Sequence, residues 1–187
     1  APDWDSSNDW ARGVGNWLYD SDTRPDCSDP TRFPGDLTGG IKNVADYAHY
    51  WHYKFLLWFE PERIMGGKVG TVYDTFLYTL CDTTHPDWMI KPSSTWPSLY
   101  PSWGYMYYDG FNLLDLGNSD ALAWAKNHFS TLVNNIGVDI YRNDFNMYPL
   151  PYWQKKDTSI RRGIAEMKYI AGLYDYLDTL LANKSGL

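Results

Sequence analysis

The sequence predicts an α/β fold built on parallel strands, and three observations carry that prediction. Apolar runs and helix-period segments alternate in the order strand, helix, strand, helix, the pattern of strands joined through crossover helices. One run, Lys54 to Glu60 ("KFLLWFE"), is apolar without alternation, as expected of a strand buried on both faces of a parallel sheet. Two predicted strands also end in charge: "LLWFEPER" closes on Glu60, Glu62 and Arg63, and "VDIYRNDFN" on Arg142, Asp144 and Asn146. The C-terminal ends of parallel strands are where such folds gather functional side chains, because strand interiors are packed while the ends share one mouth.

The elements follow in order. Residues 1 to 36 are rich in Asp, Ser, Pro and Gly with scattered Trp and show neither period, which predicts an ordered aromatic loop. Ile41, Val44, Ala45, Ala48 and Trp51 recur at helical spacing, giving a helix that ends near His52. After the "KFLLWFE" strand, residues 64 to 107 form a long aromatic, proline-rich excursion with a short helix over Val72 to Leu80; a connection of that length in a compact domain is usually functional. "FNLLDLG" is a short strand. Asn118 or Ser119 then caps a helix whose Leu122, Trp124, Ala125, Phe129, Leu132, Val133 and Ile136 share a face, and Gly137 stops it. "VDIYRND" is the next strand. A polar loop leads to a final helix marked by Ile164, Met167, Ala171, Tyr174, Leu177 and Leu181.

Composition narrows the functions. With 187 residues the chain can bury a sizeable core and reads as one domain, 1–187. A net charge of -7 gives no footprint for nucleic acid or an anionic membrane surface. No apolar run reaches the roughly 18 residues of a membrane span, so a soluble chain is expected, with a bacterial cytoplasm as its compartment. The N-terminal "APDWDSSNDW" has neither an initiator Met nor the basic and apolar regions of a signal peptide, and reads as a processed or trimmed end. Cys27 and Cys81 lack CxxC spacing and imply neither a disulfide framework nor a zinc site. His49 and His52 sit at i, i+3, but no acidic third ligand or HExxH pattern accompanies them; packing roles are expected, and no metal or cofactor. Aromatic residues make up 18% of the chain, with 10 Trp and 16 Tyr, enough to fill a core and also to line a site that stacks on sugar rings.

A carboxylate beside Arg stays ionised and can serve as nucleophile or base; the competing reading of Asp144 and Arg142 is a structural ion pair at a strand end. No GxSxG elbow, phosphate loop or Cys/His dyad is present. Paired carboxylates among aromatics remain. They suit glycoside chemistry, in which one carboxylate attacks or stabilises the anomeric carbon and a second protonates the leaving oxygen.

Five segments in order, "FLLWFEPERI", "HPDWMI", "LLDLGNSDALAW", "GVDIYRNDFNMYPLPYW" and "RRGIAEMKYIAGLYDYLDTLL", resemble glycoside hydrolase family 36, the melibiase or α-galactosidase group. The likeness begins near Trp17, runs through "RFPGDLTGGIKNVADYAH" and covers most of the chain. It implies a (β/α)8 barrel and a retaining mechanism on α-galactosides or related sugars, with Asp144 as nucleophile. Asn146 matches the family's sugar-contacting Asn, and Trp58 its Trp at the substrate's edge. Arg142 stands where the family usually has Lys, and Asn143 where it usually has Trp. Glu60 and Glu62 match positions of the "WFEPE" motif, with orienting or structural roles expected before catalytic ones; Glu60 is the one stand-in for an acid.

The family's acid/base Asp lies on a strand beyond the end of this chain, and its earlier paired-Asp strand has no match here. The expectation is therefore a partial (β/α)8 barrel with long aromatic βα loops, about three of eight strands, weak or inactive in isolation. Asp144 should sit at a strand's C-terminal end facing a concavity shared with Trp58 and Arg142. Open sheet edges and uncovered apolar faces predict a homo-oligomer. The alternative is a carbohydrate-binding or vestigial module that self-assembles.

Overall fold

The computed structural model describes residues 40–66, 81–91, 111–145 and 147–187. Helix α1 (Gly40–Tyr50) leads to strand β1 (Leu56–Phe59), and a turn at Pro61 and Glu62 leads into β2 (Arg63–Met65). A helical turn at residues 81–84 and the 3-10 helix Pro86–Trp88 precede β3 (Met89–Ile90). Then come β4 (Phe111–Leu114), α2 (Ser119–Ile136), β5 (Ile140–Asn143), α3 (Leu150–Lys156) and α4 (Ile164–Asn183). The aromatic N-terminal loop, the Val72–Leu80 helix and most of the long excursion fall outside the described residues.

Among the described residues the strands form two sheets. β1 and β5 pair in parallel, with Leu56 opposite Ile140 and Trp58 opposite Arg142. β4 is flanked by β2 and β3, both antiparallel to it. The "FNLLDLG" strand expected in the parallel sheet therefore belongs to a separate antiparallel one, in which its first neighbour is the "RIM" segment that follows the turn after β1. Four buried residues make up β4, and the side-chain amide of Asn112 ties it to the carbonyl of Gly66 at 3.1 Å.

Local chemistry explains the helix ends. Asn118 caps α2, accepting from the amides of Asp120 and Ala121, and Gly137, at φ +87°, ends it in the left-handed region. His52 takes the same region at φ 60° after α1, and the Tyr53 amide bonds back to the carbonyl of Ala48 at 2.9 Å, a Schellman closure without glycine. "LPYWQKK", expected as polar loop, is the short helix α3; Pro151 is tolerated in its first turn, where no intrahelical donor is needed. Its Tyr152 hydroxyl donates to the Phe111 carbonyl at 2.9 Å and anchors it on β4.

The final helix turns a different face inward from the one its period suggested. Ala165, Tyr169, Gly172, Tyr176 and Leu180 are buried, whereas Met167, Tyr174 and Leu181 are exposed. Apolar residues surround most of α4, so periodicity alone left its rotation open, and Gly172 settles it. A Cβ there would stand 2.0 Å from the Leu116 carbonyl oxygen. Only glycine allows that approach, which brings Tyr176 against Phe129 of α2 at 5.8 Å between ring centroids.

Candidate active site

The parallel pair has one packed and one open face, set by the two-residue alternation of strands. Leu57, Phe59, Tyr141 and Asn143 face the core. There Phe59 stacks on Tyr141 at 5.0 Å and meets Phe129 of α2 edge-on at 5.9 Å. Leu56, Trp58 and Ile140 on the other face are 48%, 39% and 44% exposed. The "KFLLWFE" strand, expected to be buried on both faces, is thus covered on one: α2 and α4 supply a lid for the Phe59 side alone.

Of the sequence-predicted site residues, Trp58, Arg142 and Asp144 lie on the open face at the C-terminal end of the pair. Trp58 and Arg142 are cross-strand partners. Asp144 directly follows β5, and its amide bonds the Phe59 carbonyl at 2.8 Å, extending the ladder by one step. Its carboxylate meets the Arg142 guanidinium at 3.5 Å, with side-chain exposures of 29% and 62% respectively. An open pair at that distance adds well under about 1 kcal/mol, so it orients and charges this strand end more than it stabilises the fold. Asn146 lies outside the described residues.

The opposite end of the pair is a latch. The Asp139 carboxylate accepts from the Phe55 amide at 2.8 Å and from His49 Nε2 at 2.6 Å, with Lys54 at 3.5 Å. The Phe55 hydrogen bond, then His49 and Lys54, pull its pKa down to about 2. This cluster ties the C-terminal end of α1 to the N-terminal ends of β1 and β5 and fixes the register that sets Trp58 beside Arg142.

Behind the strand ends lie the two glutamates. Glu60 is buried and ion-paired with Arg63, whose guanidinium sits 4.8 Å from the Phe111 ring centre. Glu62 is fully buried. Its Oε1 accepts from the Asn143 side-chain amide at 3.1 Å, and the Asn143 oxygen accepts from the Tyr141 hydroxyl at 2.9 Å. Tyr141 in turn pairs with the Tyr176 hydroxyl at 2.9 Å. Burial pushes the Glu62 carboxyl up to about 7, against the Asn143 bond and Arg63, which favour its charge. Because the folded chain holds this proton to higher pH than the unfolded one, the stability Glu62 contributes is complete below about 4.5 and is lost as pH rises to about 7.

The Glu62–Asn143 link was not anticipated from the sequence. Its one signal was Asn143 itself, a small amide where the resembling family carries Trp. Cys81 is buried, and burial with nearby Asp87 and Asp82 pushes its thiol up to about 12, an inert setting. Among the described residues, no three His, Cys, Asp or Glu side chains are placed to hold a metal ion, and no helix is long and apolar enough to cross a membrane.

The family model for melibiase matches residues 6–186. The chain belongs to the melibiase family. Its relatives include α-galactosidase Mel36A of Lactobacillus acidophilus, 26% identical over 142 residues, covering 76% of this chain and 17% of that protein. Another is α-galactosidase 2 of Pediococcus pentosaceus, 26% identical over 167 residues, covering 89% and 19%. Among solved structures, a family 36 α-galactosidase AgaA variant of Geobacillus stearothermophilus in complex with stachyose aligns over 94% of this chain and 20% of its own, with a TM-score of 0.62 at 18% identity. The α-galactosidase of Lactobacillus brevis aligns over 89% and 20%, with a TM-score of 0.52 at 22% identity. The fold of this chain is similar to a part of these α-galactosidase structures, and the chain spans about a fifth of the length of the relatives it matches.

The two faces of the pair should respond oppositely to truncation. Breaking a buried ion pair from one side costs about 3–5 kcal/mol, so Glu60→Ala should bring the urea midpoint down steeply. Trp58→Ala, on the open face, should cost about 1 kcal/mol or less. Equal losses in the two variants would contradict the assignment of faces.

Proposed function

We propose that this chain carries the nucleophile side of a retaining α-galactosidase site, built on one wall of a partial (β/α)8 barrel. The supporting observation is the juxtaposition at the end of β5: Asp144 stands beside Arg142, next to the exposed ring of Trp58, on the face that α2 and α4 leave open. In this reading the open face is the inner wall of the barrel, where the family's catalytic groups project. Asp144 attacks the anomeric carbon and forms a glycosyl ester. Arg142 and Asn146 donate to the carboxylate or to sugar hydroxyls, and Trp58 stacks against the apolar face of the ring.

A retaining site needs an acid about 5–5.5 Å from the nucleophile. Glu60 is held by Arg63 and Glu62 is turned into the core, so neither serves. The isolated chain should therefore hydrolyse ordinary galactosides weakly or not at all. Attack itself does not require the acid when the leaving group departs as a stable anion. A 2,2-difluoro-α-galactoside of 2,4-dinitrophenol should form a C1–O bond to Asp144 and release dinitrophenolate, detected as a mass increment on the peptide that contains Asp144 and absent in Asp144→Asn. Labelling elsewhere, or robust hydrolysis of raffinose lost in Glu60→Gln, would overturn the assignment.

A second reading concerns assembly, and the exposed row Leu56, Trp58 and Ile140 favours it. Apolar sheet faces of this kind are usually covered, and a second copy is the simplest cover in solution. Sedimentation at micromolar concentration should show a homo-oligomer that Ile140→Glu dissociates. A strictly monomeric, cooperatively folding chain would contradict this.

A further inference from the structure

We propose that the outward face of α4 is an interface with a second copy of this chain, the two helices packing antiparallel about a two-fold axis near Gly172 and Leu173. The proposal goes beyond the reading of Asp144 and does not depend on it.

The helix carries two apolar faces. Ala165, Tyr169, Gly172, Tyr176 and Leu180 are buried in the core. On the opposite side Ile164, Met167, Ala171, Tyr174 and Leu181 follow one another at steps of three and four residues, with Asp178 in the one remaining place. Alternating steps of three and four mark the seam along which two helices pair. This seam is open. Met167, Tyr174 and Leu181 are 69%, 66% and 56% exposed, and Ile164 and Ala171 are exposed with them. A helix apolar on both sides is normally covered on both, and an apolar stripe left at the surface marks a contact.

Charge selects the occupant. Lys168 stands beside the seam with no acid three or four residues away on its own helix, whereas Asp175 and Asp178 are acids one turn apart with no base at that spacing. Like charges so placed repel. Lys126 of α2 meets Asp175 at 2.8 Å, which offsets one of the two. A copy of α4 running the other way sets Ile164 against the partner's Leu181 and Ala171 against the partner's Tyr174, small against large. It also sets Lys168 between the partner's Asp175 and the partner's Asp178. The two-fold axis makes each match twice, so α4 is its own complement, which is the condition a symmetric interface imposes. A parallel copy fails the same test. It would press Asp178 against the partner's Asp178 inside the seam, an unpaired like-charge contact that excludes that orientation.

The test uses chains that carry Ile140→Glu, which removes the sheet-face contact and takes the assembly down to the α4 pair. Sedimentation equilibrium at micromolar concentration should show a dimer. Adding Met167→Glu should raise its dissociation constant about a hundredfold, since the change removes a buried apolar side chain and places a charge in the seam. Two further chains carry opposite charges, one with Lys168→Glu and the other with Asp175→Lys and Asp178→Lys. Each alone repels its own copy and should dissociate at least about tenfold more readily, while an equal mixture should restore the dimer. All four positions are exposed, so circular dichroism should report the same fold throughout. A folded Ile140→Glu chain that is monomeric, a dimer that Met167→Glu leaves intact, or opposite-charge chains that do not associate when mixed would each overturn the proposal. None of these readouts involves labelling of Asp144, so the nucleophile assignment stands or falls separately.

Discussion

The fold turns on a parallel strand pair that is covered on one side. Phe59 and Tyr141 stack face to face beneath Phe129 and Tyr176, and that aromatic block supplies the burial that holds β1 and β5 to the two long helices. Aromatic rings bury large areas and favour the stacked and edge-on contacts seen here. Side chains alternate along a strand, so packing one set inward commits Leu56, Trp58, Ile140 and Arg142 to the other side. The open face is the geometric complement of the core.

Charge is distributed along the same axis. At the N-terminal end, Asp139 gathers an amide, an imidazole and an ammonium, and its carboxylate is spent on structure. At the C-terminal end the carboxylates divide three ways: Glu60 is neutralised by Arg63 in the core, Glu62 is buried against Asn143, and Asp144 keeps partial access to water beside Arg142. Three acids within one cluster thus meet three environments, and only the last keeps a carboxylate available to a ligand. That division, more than the presence of paired carboxylates, separates a reactive position from two supporting ones.

Much of this was legible in the residues. Asn118 and Gly137 announced both ends of α2, and the "YRND" run announced a strand ending in charge, because caps and strand ends are written in local chemistry. The separate antiparallel sheet was not legible, since "ERI" reads as the tail of β1 until the turn at Pro61 and Glu62 is known. Nor was the rotation of α4, where an almost continuous apolar circumference offers several equivalent faces and the choice falls to one glycine against the Leu116 carbonyl. The roles of Glu60 and Glu62 were open for a similar reason. They are two residues apart in sequence, and only the packing of Arg63 and Asn143 tells them apart.

The claim that the open face is the ligand-facing one can be tested without catalysis. Titration of the chain with galactose, followed by amide and indole shifts in NMR spectra, reads out where a sugar settles. Saturable changes are expected, confined to the Trp58 indole and to residues Arg142, Asn143 and Asp144. Changes confined to the aromatics at the other end of β1, Tyr50, Trp51 and Tyr53, or no change at saturating galactose in a folded chain, would contradict it.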